Sequence, residues 1–240
     1  EHLGDNRSSS RSKVFQRNMS AILFDMDGTL VDSEPLWLEA EQQVMAEVGS
    51  TWEQSDQINC LGGPMDKTER YMQERSGNIK PYGYFSERLN DVMDEKLKHE
   101  LRLIPGALEL LLDCKSAQIP MALVTASTGR QMRAVLERFP SGLFSSTVSQ
   151  DDVEHSKPDP APYKLAASQL GVDIKSCLVL EDSITGVQSG LRSGAQVIGI
   201  PHLVQMQSHE NLRVVKALSD LSLKLILDWY PHLDRSVSAK

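Results

Sequence analysis

The sequence predicts an α/β protein: a doubly wound parallel sheet with an α-helical segment inserted after its first strand. Three observations carry that expectation. Short apolar runs recur along the chain, amphipathic helical stretches separate them, and residues 33–102 interrupt this rhythm without a convincing strand. Ala21-Ile22-Leu23-Phe24 is the first run, and its uniform apolarity is that of a strand buried on both faces. Met121-Ala122-Leu123-Val124, Cys177-Leu178-Val179-Leu180 and Gln196-Val197-Ile198-Gly199-Ile200 repeat the pattern. Between them, Pro105-Gly106 opens a helix through Leu108, Leu111 and Leu112, and Gly129 to Phe139 sets Met132, Val135 and Leu136 at helical spacing. A helix from Pro162 to Leu170 stops at Gly171, and one from Ile184 to Arg192 stops near Gly194.

Within the interruption, Pro35 to Val48 aligns Trp37, Ala40, Val44 and Val48 on one stripe. A Gly62-Gly63-Pro64 turn then leads to helices at Lys67 to Gln73 and Phe85 to Leu97. The expected division is a tail of residues 1–18, a core of residues 19–32 and 103–240, and a helical cap of residues 33–102. The tail holds Arg7, Arg11, Lys13 and Arg17 against two acids and has no apolar secretory segment. It is read as a flexible extension ahead of a start at Met19, with an Arg/Ser-rich transit peptide as the lesser alternative.

Composition narrows the classes of function. A chain that is 40% hydrophobic and 24% charged lies in the globular range, which excludes disordered and fibrous proteins. A net charge of -8 disfavours nucleic acid, yet leaves room for a basic pocket that takes a small phosphorylated ligand. No stretch approaches the ~18 apolar residues of a membrane span. Three scattered cysteines make neither a disulfide framework nor a CxxC motif. A cytoplasmic monomer that binds neither nucleic acid nor membrane is the expectation.

Four loops carry the candidate chemistry. Asp25-Met26-Asp27-Gly28-Thr29 follows the first run directly, and two carboxylates so close on a turn call for a cation or a shared proton. An Asx turn capping the next helix is the plainer reading. A calcium loop is excluded, because Leu30 and Leu36 stand where an EF-hand needs Gly and Glu. Thr125-Ala126-Ser127 ends the second run with hydroxyls that could equally cap a helix. Lys157-Pro158-Asp159-Pro160 is either a positioned ammonium or a solvated turn. Glu181-Asp182-Ser183 ends the third run, where Asp182 could simply be an N-cap. Each plain reading weakens when all four loops reach one edge of one sheet. Asp25, Glu181 and Asp182 would repel each other strongly in a cleft, and a divalent cation removes that penalty. Oxygen ligands select Mg²⁺, which usually binds together with substrate phosphate.

In this order the four loops resemble the motifs of the haloacid dehalogenase superfamily, in its phosphotransferase branch with a Rossmann-like core and a helical cap. The resemblance covers about residues 19–225. It implies that Asp25 takes the phosphoryl group as an aspartyl phosphate, and that Asp27 protonates the leaving alcohol and then activates water. It implies that Thr125, with Ala126 beside it, and Lys157 bind the transferring phosphoryl group. It implies Mg²⁺ held by Asp25, the Asp27 backbone carbonyl and Asp182, with Glu181 binding directly or through water. The dehalogenase branch is disfavoured, because Asp27 belongs to the phosphotransferases.

Val31 to Trp37 resembles the start of the cap in sugar- and polyol-phosphate phosphatases of the 2-deoxyglucose-6-phosphate type, which makes Glu34, Trp37 and the Gly62 loop the expected substrate contacts. The β-phosphoglucomutases carry a His near Trp37 and basic residues in the loop that aligns with Leu61 to Asp66. This sequence has neither, so hydrolysis is expected, with a mutase as the alternative because Lys67 lies close by. A binding protein of the same fold would typically have lost a catalytic position, and all are filled. No HExxH, GxSxG, Walker A or GxGxxG motif competes.

Overall fold

The computed structural model describes residues 20–61, 64–201 and 205–233. The expectations for residues 1–18 and for the Gly62-Gly63 turn lie outside the described residues. In chain order, β1 (Ile22–Phe24) and β2 (Val31–Asp32) precede α1 (Glu34–Glu47), α2 (Gln54–Cys60), α3 (Met65–Arg75), α4 (Tyr84–His99) and β3 (Arg102–Leu103). Then come α5 (Ala107–Ser116), β4 (Met121–Val124), α6 (Gly129–Leu136), β5 (Ser146–Val148) and α7 (Ala161–Leu170). β6 (Leu178–Glu181), α8 (Ile184–Ser193), β7 (Gln196–Gly199), β8 (Leu212–Val214) and α9 (Leu223–Trp229) complete the chain.

Six of these strands form a parallel sheet in the order β5-β4-β1-β6-β7-β8, four of them the strands that the apolar runs predict. Both faces are covered. Ile22, Phe24 and Leu180 enter one apolar cluster, while Ala21, Leu23 and Val179 enter the other. The four strands legible in the sequence are the four interior ones. The two that the apolar runs miss, β5 and β8, are the edges, and each carries a polar residue mid-strand, Thr147 or Arg213. An edge strand has one neighbour and a wetter face, so its sequence carries no continuous apolar run.

The chain builds outward from β1 on one side and then crosses back to β6 on the other, so a switch point lies between β1 and β6. Phe24 pairs with both Leu123 and Leu180. That shared register brings the ends of β1, β4 and β6 to one level, and the residues just beyond them emerge side by side.

The inserted helices leave and rejoin the sheet through the antiparallel pair β2–β3, with Val31 opposite Leu103. This short ribbon and α2 were not expected. The α2 sequence is polar, and what marks its start is a capping box between Glu53 and Asp56. Against the core, α4 meets α6 through Gln131 Nε2, which donates to Asn90 Oδ1 at 3.1 Å, and through an ion pair between Arg130 and Asp94. Among the described residues no helix is long and apolar enough to cross a membrane.

Candidate active site

Asp25 follows β1 directly, and its backbone N–H still donates to Leu180 O at 3.0 Å, so the strand ladder fixes where the side chain leaves the sheet. The residue is 5% exposed. Its Oδ1 accepts from Lys157 Nζ at 2.6 Å and its Oδ2 from the Thr29 hydroxyl at 2.9 Å. Lys157 spends its other two protons on Glu181 Oε1, at 2.7 Å, and on Val124 O, at 2.9 Å. With 4% of its side chain exposed, it is not the solvated turn lysine of the plainer reading. Tyr163 closes the floor, donating from its hydroxyl to Glu181 Oε1 at 2.6 Å, with its ring 5.0 Å from Lys157 Nζ.

Asp182 is not a helix cap either. Ser183 caps α8 by accepting from Gly186 N at 3.0 Å, which leaves the Asp182 carboxylate free. Among the described residues, no hydrogen bond reaches it. One oxygen each from Asp25, Glu181 and Asp182 lies within 4.8 Å of the others. Burial, then the charge of Glu181, pushes the Asp25 carboxyl up to about 7 despite Lys157. Burial, then Asp25 and Glu181, drives Asp182 well above the usual carboxylate range. For Lys157, burial acts downward, but Asp25 and Glu181 outweigh it and raise its pKa. One lysine thus does not neutralise three converging acids. Oxygen donors with an unsatisfied carboxylate fit a hard divalent cation.

Gly28 makes this approach possible. Its φ is +79°, and a Cβ there would stand 2.0 Å from Asp182 Oδ2. Gly28→Ala is expected to displace Asp182 and weaken divalent-cation binding about 10- to 100-fold, the range for changes that disturb a ligand's support. Calorimetric titration with Mg²⁺ checks this. Gly186 plays the matching part under Glu181, whose carboxylate carbon would lie 1.9 Å from a Cβ.

The second aspartate of the first loop faces the other way. Asp27 Oδ1 accepts from the Ser33 hydroxyl at 2.8 Å, and Oδ2 accepts from Ser127 at 2.7 Å and Thr125 at 3.1 Å. Thr125 therefore has its hydroxyl proton on Asp27, while its oxygen accepts from Ser127 N at 2.9 Å. Thr128 caps α6, so Ser127 is released from the capping role the sequence left open to it.

A cavity of about 310 Å³ lies over these residues, between the sheet edge and the inserted helices. Its floor includes Asp25, Asp27, Thr125, Ala126, Lys157 and Asp182, and its roof includes Glu34, Trp37 and Glu41 from α1. Of the expected roof contacts, Glu34 and Trp37 thus line the cavity, and Gly62 lies outside the described residues. Sequence reasoning missed Thr29, Ser33, Tyr163 and Glu41. Ser33 and Thr29 sat within reach of the first loop, but Tyr163 sits mid-helix in α7 and carries no local signal.

Glu41 is 5% exposed and accepts from Trp52 Nε1 at 2.8 Å. Burial is the main cause that pushes its carboxyl up to about 7 from an ordinary 4.5. A group raised in this way holds its proton in the folded state, so its stabilising effect is complete below pH 4.5 and is lost as pH rises through 7. At 1.36 kcal/mol per unit the loss is about 3 kcal/mol. Glu41→Gln, which keeps an acceptor for Trp52, is expected to flatten the decline in stability between pH 5 and 8 by about that amount. Urea denaturation of both proteins at the two pH values measures it.

A doubly wound parallel sheet that gathers a lysine and three acids at its switch point defines an α/β protein with a polar site at the carboxyl ends of its strands. The chain belongs to the haloacid dehalogenase-like hydrolase family, whose sequence profile matches residues 22–200. It is 31% identical over 188 residues to hexitol phosphatase B of Escherichia coli (strain K12), covering 77% of this chain and 85% of that protein. It is 30% identical over 186 residues to a phosphorylated carbohydrates phosphatase of Thermotoga maritima, covering 77% and 86%. Among solved structures, CbbY from Rhodobacter sphaeroides in complex with phosphate superposes with a TM-score of 0.74 at 24% identity, covering 85% of this chain and 97% of that one. That likeness concerns the fold.

Proposed function

We propose that this chain is a Mg²⁺-dependent phosphatase that hydrolyses a small phosphorylated metabolite, a sugar or polyol monophosphate, through an aspartyl-phosphate intermediate. The observation that carries the reading is the convergence of Asp25, Glu181 and Asp182 on one point beside Lys157. The names of the sugar-phosphate phosphatases similar to it support the substrate class. Residues 19–32 and 103–240 act as the catalytic core and residues 33–102 as the cap.

In the first half of the cycle, an Asp25 carboxylate oxygen attacks phosphorus and the bond to the leaving oxygen breaks. Thr29 and Lys157 hold the carboxylate in place for this attack. Asp27 gives its proton to the departing alcohol. In the second half, Asp27 takes a proton from water, the resulting hydroxide attacks phosphorus, and the bond to Asp25 breaks to release phosphate. Ser33 and Ser127 orient Asp27 for both transfers. When substrate binds, Thr125 turns its hydroxyl proton from Asp27 to the phosphoryl oxygens beside the Ala126 backbone, and Lys157 offsets their charge. Asp25, the Asp27 carbonyl and Asp182 would hold Mg²⁺, with Glu181 joining directly or through water. The ion supplies charge neutralisation for the phosphoryl oxygens. The partner is thus a phosphorylated small molecule, and we place the protein in the cytoplasm as a monomer that takes neither nucleic acid nor membrane.

Phosphate release from p-nitrophenyl phosphate, present with Mg²⁺ and lost with chelator, tests the reading. A folded protein that releases none under either condition overturns it. Given β-glucose 1-phosphate with a trace of the 1,6-bisphosphate, the enzyme should yield free glucose, and accumulation of glucose 6-phosphate would instead establish a mutase.

A further inference from the structure

Glu34, Trp37 and Glu41 are spaced i, i+3 and i+7 on α1, so they share one face of the helix, and all three line the cavity. The Glu34 Oε2 atom is buried with no hydrogen-bond partner. Glu41 has one oxygen on Trp52, and among the described residues no donor reaches the other. The remaining roof residues, such as Gln57, Thr68 and Asn90, are neutral. Among the described residues lining the cavity, the one cationic side chain is Lys157, and its three protons are already taken by Asp25, Glu181 and Val124. Positions 62 and 63 are glycines and add no charge.

A buried carboxylate oxygen without a donor, such as Glu34 Oε2, is costly until a ligand supplies a proton to it. Hydroxyl groups supply such protons, and the carbon–hydrogen edge of a polyol packs on an indole face. A second phosphate or a carboxylate would instead meet two acids in a low-dielectric space with no free cation. At 1.5 Å rise per residue, Glu34 and Glu41 are about 10 Å apart along α1, room for hydroxyls on a chain of several carbons between them.

We propose that Glu34 and Glu41, on either side of Trp37, are specificity-determining residues that read the hydroxyls of an uncharged polyhydroxylated leaving group and reject one bearing a second anion. This rests on the phosphatase reading and deepens it. p-Nitrophenyl phosphate, which lacks hydroxyls, reports the phosphatase reading separately: no release from it removes that reading and this one together.

If release occurs, the decisive comparison is a hexitol 6-phosphate against the 6-phosphoaldonate of the same carbon chain, in which a terminal hydroxymethyl becomes a carboxylate. The hexitol phosphate should have a kcat/KM at least about tenfold higher. Equal values overturn the inference while leaving the phosphatase intact. Assayed at pH 8, above the raised pKa of about 7 of each carboxyl, Glu34→Gln and Glu41→Gln should each raise KM for the hexitol phosphate about tenfold and narrow the discrimination. Folded variants with unchanged KM and unchanged discrimination overturn the assignment of these residues. Should either variant fail to fold, Thr68→Lys, which adds a cation to the roof, should narrow the discrimination from the other side, and an unchanged ratio there counts against the inference.

Discussion

Asp25→Asn is expected to abolish phosphate release, by at least about four orders of magnitude, while the protein becomes more stable in cation-free buffer at pH 8. The catalytic loss follows from replacing the attacking oxygen with an amide, and removal of a nucleophile is among the largest single-residue effects in enzymes. The gain in stability follows from the charge arrangement. Burial and Glu181 hold the Asp25 carboxyl near 7, against an ordinary 3.8. Such a group contributes its stability below pH 3.8 and loses it as pH rises through 7, so at pH 8 the wild type carries an ionised carboxylate that the fold disfavours. Asn carries no charge and escapes that loss. Phosphate release and thermal denaturation on the same samples test both halves. A variant that is inactive but markedly less stable at pH 8 would contradict the electrostatic account.

Lys157→Met should be the most damaging change to the site as a structure. Lys157 is 4% exposed and paired with both Asp25 and Glu181. Removing one member of a buried ionic group leaves charges uncompensated and costs about 3 to 5 kcal/mol. The loss has a pH signature. Without the ammonium, Asp25 rises further above its unfolded value and holds its proton more firmly in the folded state. The variant therefore suffers least at low pH, where the carboxyls are protonated, and most as pH rises past 7. Urea denaturation at pH 5 and 8 measures the difference, and an equal loss at both would refute it. Mg²⁺ should recover part of the loss, because the cation stabilises whichever state holds the acids together.

These effects also mark how far local patterns reach. Interior strands could be read because burial on both faces demands an uninterrupted apolar run, and Ile22-Leu23-Phe24 and Leu178-Val179-Leu180 satisfy it. The edge strand around Thr147 could not, because a strand with one neighbour tolerates polar residues. Lys157 shows the same boundary in the site. It was legible as a motif residue, yet it reaches Asp25 from the connection after β5, a strand that the apolar runs did not reveal. Tyr163, buried in α7 against Glu181, carries no signal at all, since a tyrosine in a helix is an ordinary core residue until the partner across space is known.

The order of the loops, the chemistry of Asp25, Asp27, Lys157 and Asp182, and the glycine at position 28 are properties of the chain, because each depends on neighbours a few residues away. Which plain role each residue gives up was decided by tertiary structure alone. Ser183 and not Asp182 caps α8, Thr128 and not Ser127 caps α6, and the lysine is withdrawn from solvent. The physical reason is that a carboxylate's partners, burial and charge are set by elements that pack beside it, and the register of β1 against β4 and β6 decides which groups those are.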